Sequence, residues 1–330
     1  MGDGKALLPY VVRMRLVVLD DYQNLALHTV DWRAVGDLQL SSITEHIADV
    51  VELARRLEGA EVVVAMRERT RFPASLFERL PDLRLLVTTG LANAAIDLHA
   101  AAAQGVTVCG TLGIVTPTSE LTWALIHAVS RHVAADDATM RAGGWQTRVG
   151  TGLHGQRLGL IGLGRIGGLV AQVGLAFGMD VVAWSQNLTQ GRADEVGVRR
   201  VDRDELLTTS DVISIHLVLS ERTHHLIGAR ELASMRNSAI LVNTSRGAII
   251  DQAALVHALQ RGVIAGAGLD VFETEPLPVD DALRSLPNTV LTPHTGYVVT
   301  QCYDIFFRHI VEDVVAWQAG SPVRMLQARV

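Results

Sequence analysis

The chain has 330 residues, of which 48% are apolar and only 19% charged, enough material for two domains with sizeable cores; a disordered chain is excluded. Acidic residues number 35 against 29 basic ones, a net charge of -6 with no basic block, which argues against a nucleic-acid or anionic-membrane surface and for a small-molecule partner. Two cysteines, Cys109 and Cys302, stand far apart and outside any CxxC spacing, so neither a disulfide framework nor a structural zinc site is indicated and a reducing cytoplasm is expected.

The opening "MGDGKALLPYVVRM" carries one lysine and a broken apolar run too short for a signal peptide, and no segment of the chain reaches membrane-spanning length. "MRLVVLDDY" at Met14 reads as a natural strand start, which leaves residues 1–13 as a tag, an upstream start or a disordered arm. Short runs rich in Val, Ile and Leu follow at 15–20, 61–66, 83–89 and 106–110, then at 157–162, 180–184, 211–217, 239–244 and 264–271. Because these runs do not alternate with polar residues, they read as strands buried on both faces, and the helical patterns between them make the sheets parallel. The fold class is therefore α/β, twice over. Between the two groups, residues 117–145 read as one long helix begun at Pro117 and ended near Gly143-Gly144. After the strand-like "NTVLTPH", a last helix over about 301–317 is stopped by Gly320 and Pro322 and can fold back onto the first domain. There is no internal repeat, and the alanine-rich "LANAAIDLHAAAAQG" reads as the small-residue face of a packed helix.

Gly162-x-Gly164-x-x-Gly167 stands between the strand "RLGLI" and a helix, with the strand "DVVAW" following, which is the context a dinucleotide-binding turn requires. The first glycine permits the turn, the second lets backbone approach a pyrophosphate, and the third allows close helix packing. Amides near Arg165 and Ile166 then face the phosphates at the helix N-terminus. The pattern normally ends in Asp or Glu at the close of the second strand, where it binds the adenosine ribose, but this chain has Ser185-Gln186-Asn187. A carboxylate there would repel the 2'-phosphate of NADP, so its loss removes a barrier without supplying an attraction. A guanidinium could supply that attraction, since arginine clamps phosphate, and Arg192, Arg199 and Arg200 follow, but arginines in such positions are mostly solvated surface residues.

Three further residues each follow a strand end: Arg246 in "LVNTSRGAIID", Glu275 in "LDVFETEP" and His294 in "LTPHTG". Such ends converge on one crevice in open α/β sheets. Oxidising a hydroxyl beside a carboxylate needs a base, for which imidazole is suited; a neighbouring carboxylate fixes its tautomer, and a guanidinium can grip the substrate carboxylate. His216 lies on a buried strand and His224-His225 lacks a carboxylate or cysteine at ligand spacing, so no metal is expected.

The segments "GQRLGLIGLGRIG", "AFGMDVVAW", "DVISIHL", "MRNSAILVNTSRGAIIDQAAL", "ALQRGVIAGAGLDVFETEP" and "NTVLTPHTG" occur in an order that resembles the D-isomer-specific 2-hydroxyacid dehydrogenase family over nearly the whole chain. The resemblance implies two doubly wound parallel-sheet domains, a Rossmann-type cofactor domain (117–295) inserted into a flavodoxin-like substrate domain (1–116 plus 296–330). It implies Arg246, Glu275 and His294 as the catalytic trio, with Glu275 rather than Glu273 because the family's acid precedes the proline. On the cofactor side it places Gly162, Gly164, Arg165, Ile166, Gly167, Ser185, Gln186, Asn187, His216, Thr244 and Asp270, the last toward the nicotinamide amide. Backbone around Thr89, Gly90 and Leu91 is expected at the substrate carboxylate, along with Arg246.

The activity implied is hydride transfer between NAD or NADP and C2 of a small 2-oxoacid of glyoxylate or hydroxypyruvate type, in a homodimer built on the helix from Pro117 and the "GGW" segment. The alternatives are a nicotinamide-sensing binding protein of corepressor type and a dehydrogenase of another small anion, formate or phosphite. Three departures bear on cofactor and substrate. Val218 replaces the proline frequent after "HL", the loop "TTGLANAAID" carries alanines, and Tyr297 follows the histidine segment. Arg67 or Arg69 in "MRERTRFP" can meet a second anionic group on the substrate or form a charged surface loop.

Overall fold

The unalternating apolar runs form parallel strands in two separate sheets of a computed structural model that describes residues 13–328. One unit runs to Gly113 and resumes at Val299; the other is Ile114–Val298. The sequence boundaries at 116/117 and 295/296 thus move outward. Residues beside each join are held within the second unit, where the Thr118 hydroxyl donates to the Gly296 carbonyl at 3.1 Å.

The first unit carries β1 (Met14–Val18), β2 (Leu38–Ser42), β3 (Val62–Ala65), β4 (Leu85–Thr88) and β5 (Thr107–Gly110), in the order β2-β1-β3-β4-β5. The turn of order between β1 and β3 is that of flavodoxin-like sheets. Helices α1 (Val50–Arg56), α2 (Ala74–Phe77) and α3 (Leu98–Ala103) connect them, α1 and α3 being started by Asp49 and Asp97, whose carboxylates accept from Glu52 and Ala100 amides. Every residue of β3 and β4 is buried, as expected of central parallel strands. The strand β2 escaped the sequence reading because "LQLSS" is a half-polar edge strand with no apolar run to announce it.

In the second unit, α4 (Thr116–Ser130) and α5 (Val133–Arg141) precede β6 (Arg157–Ile161), α6 (Arg165–Ala176), β7 (Asp180–Trp184), α7 (Gln190–Val196), β8 (Arg199–Arg200), α8 (Arg203–Thr209) and β9 (Val212–Ile215). Then come α9 (Ala229–Ser234), β10 (Ile240–Asn243), α10 (Gln252–Gln260), β11 (Gly266–Leu269) and β12 (Thr289–Leu291). The order β12-β11-β10-β9-β6-β7-β8, parallel throughout, is the doubly wound dinucleotide-binding arrangement, with its switch point between β6 and β9. Its two faces are filled by separate apolar clusters, one including Ile213, Leu241 and Leu255 and the other Leu158, Val181 and Trp123. The two-residue β8, charged and exposed, gave no signal in the sequence.

The single helix expected over 117–145 is two. The Ser130 hydroxyl turns back to the Ile126 carbonyl at 2.7 Å and His132 takes a φ of 56°, a left-handed conformation that ends α4 before α5 begins. The final helix, α11 (Thr300–Gln318), belongs to the first unit, where it buries Tyr303, Phe306, Phe307, Ile310 and Val314. Beyond it Gly320 has a φ of 73°, and the tail runs antiparallel beside β5 through a Cys109–Met325 bridge. Arg324 fixes that tail, its guanidinium pairing with the buried Asp313 at 3.0 Å and with Glu312 at 2.9 Å. No helix among the described residues is long and apolar enough to cross a membrane.

Candidate active site

The glycine turn occupies the C-terminal end of β6. Gly162 has a φ of 106°, and a Cβ on it would collide with the His216 carbonyl oxygen; a Cβ on Gly167 would collide with the Gly162 carbonyl. Both glycines are therefore required by the backbone itself. Gly164 is different, since a Cβ there would meet nothing within 4 Å. Packing does not explain a glycine at 164, whereas an approaching pyrophosphate does, and the residues present fit a dinucleotide. Gly164 also caps α6 without a side chain, leaving the amides of its first turn, from Arg165 and Ile166 onward, to an anion.

The end of β7 lies against this turn, for the Gly162 amide donates to the Trp184 carbonyl at 2.8 Å. Ser185 is half-buried, while Gln186 and Asn187 are exposed in a turn closed by the Leu188 amide on the Ser185 carbonyl at 3.1 Å. Of the three arginines that follow, Arg199 is paired with Glu205 at 2.7 Å and lies toward Asp180, at the start of β7. Arg200 is exposed on β8. Arg192 alone reaches the glycine turn, its Nε donating to the Leu163 carbonyl at 3.2 Å and its Nη1 meeting Glu195 at 3.0 Å.

His216, Thr244 and Asp270 follow β9, β10 and β11, and each is engaged within the unit. The His216 Nε2 faces the Ser214 hydroxyl at 2.9 Å, its Nδ1 is buried without a partner, and burial pushes the imidazole down to about 4. The Thr244 and Thr122 hydroxyls share a bond of 2.9 Å. Asp270 accepts from the Thr292 hydroxyl at 2.6 Å and from the Thr295 and Gly296 amides at 2.8 and 2.9 Å. Burial raises its pKa, against the opposing pull of those donors and of His294. The carboxylate thus braces the loop that carries His294, a use that sequence reading missed; the flanking "TP" and "TG" of "LTPHTG" were its only signal.

His294 itself has a φ of 53°, its amide donates to the Asp270 carbonyl at 2.8 Å, and its Nδ1 meets Glu275 Oε2 at 2.6 Å. With Nδ1 given to the carboxylate, Nε2 is the ring nitrogen left for a substrate. The ring stands edge-on to Tyr297, centroids 5.9 Å apart. Glu275 Oε1 accepts the Phe272 amide at 2.9 Å, which holds the carboxylate inside its own turn. Arg246, just past β10, is half-buried, with its Nη1 on the Ser245 carbonyl at 2.7 Å and its own carbonyl held by Asn243 Nδ2 at 2.9 Å. Gly247, next to it, has no room for a side chain, because a Cβ would fall into the Phe272–Glu273 peptide. The arginine loop and the glutamate turn are thus in backbone contact, which the sequence hinted at only by the glycine after Arg246.

Glu273, the acid set aside in "FETEP", pairs instead with His225 at 2.7 Å and accepts the Gln252 amide at 3.3 Å, while His224 stacks on His225 with centroids 4.0 Å apart. Among the described residues, no group of three or more His, Cys, Asp or Glu is placed to hold a metal.

In the first unit, Thr89 is buried and its amide donates to the Ala65 carbonyl at 3.1 Å; the Gly90 amide donates to the Thr111 hydroxyl at 3.0 Å. Leu91 is 50% exposed and is the outward position of the turn. Arg67 structures this turn: its amide donates to the Thr89 hydroxyl at 2.9 Å and its Nη1 to the Thr89 carbonyl at 3.1 Å. The Arg69 Nη1 donates to the Asp20 carbonyl at 2.7 Å while its guanidinium lies 4.5 Å from the centre of the Tyr22 ring.

Sheet order and open glycine turn together define a dinucleotide-binding domain with an acid–base pair at the carboxyl ends of its strands. Residues 123–296 match the model of the D-isomer specific 2-hydroxyacid dehydrogenase NAD binding domain. The chain belongs to that family, and its cofactor is a nicotinamide dinucleotide. It is 38% identical over 255 residues to a glyoxylate reductase of Korarchaeum cryptofilum, covering 75% of this chain and 77% of the relative. A hydroxypyruvate reductase of Thermotoga maritima is 37% identical over 264 residues, 78% of this chain and 84% of the relative. The crystal structure of a phosphoglycerate oxidoreductase from Vibrio cholerae O395 matches with a TM-score of 0.89 at 34% identity, covering 93% of this chain and 99% of that one.

Proposed function

We propose that this protein reduces small 2-oxoacids of the glyoxylate and hydroxypyruvate kind to D-2-hydroxyacids. The observation that carries the reading is the 2.6 Å Glu275–His294 pair, set on loops past neighbouring strands β11 and β12, with Arg246 past β10. A bound reduced nicotinamide supplies hydride to the substrate C2. His294 Nε2 delivers the proton to the carbonyl oxygen, Glu275 holds Nδ1 and balances the imidazolium, and the Arg246 guanidinium grips the carboxylate and polarises the carbonyl. The turn Thr89–Gly90–Leu91 is the substrate-binding element of the first unit. Neither alternative, the corepressor-type sensor or the formate- or phosphite-type dehydrogenase, is favoured by the names these relatives carry.

The cofactor choice leans to NADP. Ser185, Gln186 and Asn187 can hydrogen-bond either a ribose hydroxyl or a phosphate, and no carboxylate stands at the end of β7 to repel the latter. Absorbance assays of NADPH and NADH with glyoxylate, hydroxypyruvate and larger 2-oxoacids test the reading, and no oxidation with any of them would refute it. Ser185→Asp is expected to lower the NADPH/NADH preference by roughly 10-fold through charge repulsion. An unchanged ratio would remove Ser185 as the discriminating position. A homodimer is supported by the apolar side chains that α5 and the following segment leave exposed, Val133, Met140, Trp145 and Val149. Sedimentation of a monomer at micromolar concentration would count against it.

A further inference from the structure

We propose that Arg192 is the cation that recognises the 2'-phosphate of NADP in this chain. The inference rests on the NADP-leaning reading above and assigns it a residue from outside the strand end where the usual discriminating acid stands. Three observations lead to it. First, the Nε–Leu163 bond places the Arg192 guanidinium beside the turn between Gly162 and Gly164, at the end of β6 next to the end of β7. Those two strand ends are the adenosine side of a doubly wound dinucleotide site. Second, Gly168 makes room for it, since a Cβ there would come 3.2 Å from Arg192 Nη2. The extra glycine of "GRIGG" lies outside the three-glycine pattern, and the guanidinium beside it gives it a use. Third, the backbone aims the side chain: the Thr189 hydroxyl accepts the Arg192 amide at 3.2 Å and starts α7 directly after the Ser185–Leu188 turn.

The group is 42% exposed and, among the described residues, its acidic partner is Glu195, three residues along α7 and more exposed still at 67%. An exposed pair of that kind is worth little, so a phosphate dianion can displace the carboxylate at small cost. Arg192 Nη1 then exchanges Glu195 for phosphate while Nε stays on Leu163. The hydroxyl and amides of Ser185–Asn187 are left for the ribose. The neighbouring arginines are less well placed, because Arg199 is held at the opposite end of β7.

Calorimetric titration of the full chain with 2',5'-ADP and 5'-AMP, alongside NADPH and NADH, isolates the contact from catalysis. Arg192→Ala is expected to weaken 2',5'-ADP and NADPH by roughly 10- to 100-fold, the span of one charged hydrogen-bonding contact, and to leave 5'-AMP and NADH within about threefold. Arg192→Lys should recover part of the loss, and Glu195→Gln should tighten 2',5'-ADP a few-fold without touching 5'-AMP. Equal losses for phosphorylated and unphosphorylated ligands, or none, would overturn the role. If the wild type binds NADPH more tightly than NADH and Arg192→Ala does not alter the ratio, the NADP reading stands and Arg192 falls. If the wild type prefers NADH and binds 2',5'-ADP no better than 5'-AMP, both fall.

Discussion

Replacing His294 by asparagine is expected to cut kcat for 2-oxoacid reduction by about 10²- to 10⁴-fold while NADPH affinity stays within about threefold. Asparagine is preferred to alanine for a structural reason: His294 has a φ of 53°, a left-handed conformation that Asn accepts and β-carbon-bearing residues otherwise resist. The loop should survive the change. Asp270 holds it through the Thr295 and Gly296 amides and the Thr292 hydroxyl, and the residue 294 amide donates to the Asp270 carbonyl whatever its side chain. What is lost is the Nδ1 bond to Glu275 and the Nε2 proton donor. Cofactor binding, followed by tryptophan quenching, separates loss of chemistry from loss of the site. Turnover near the wild-type rate would remove His294 from the acid–base role.

The second large effect should come from a residue with no chemistry of its own. Gly247→Ala places a methyl group inside the Phe272–Glu273 peptide, so either the Arg246 loop or the turn holding Glu275 has to move. Displacements near 1 Å at a catalytic group cost about 100-fold in rate, and the overlap itself is worth about 1–3 kcal/mol of stability. We expect kcat/KM to fall by roughly that 100-fold and Tm by at least about 2–4 °C. Gly152→Ala is the control, since a Cβ at Gly152 meets nothing within 4 Å. If Gly247→Ala matched that control in both rate and Tm, the contact between the two loops would be dispensable.

The parts of this molecule that were legible in its sequence are those where one physical demand dominates. Strands buried on both faces, such as Val62–Ala65 and Ile240–Asn243, must be unbroken apolar runs. A turn pressed against a carbonyl, such as Gly162, must be glycine. The edge strands β2 and β8 carry no such demand, and the break at His132 depends on a local hydroxyl bond and a left-handed residue that composition does not announce. In the candidate site, Glu275, His294 and Arg246 were expected together because each follows a strand end, and the structure pairs Glu275 with His294. Asp270 has a role that its residue type and position did not announce, because its oxygens brace the His294 loop. Arg192 was one of three arginines that the sequence offered near the cofactor, and composition could not single it out; the Leu163 carbonyl and Gly168 beside it do.

The tail beyond α11 has a meaning for how this protein behaves in a crowded solution. Strand β5 ends the first sheet, and its outer backbone groups would otherwise invite another chain to pair with them. The Gly110 amide instead donates to the Arg324 carbonyl at 3.0 Å and the Leu326 amide to the Val108 carbonyl at 2.8 Å, so residues 324–326 act as a self-supplied edge guard. That guard is locked to α11 by the Asp313 and Glu312 pairs of Arg324. Cutting the chain after Ser321 would strip the buried Asp313 of its cation and convert a sealed edge into a sticky one.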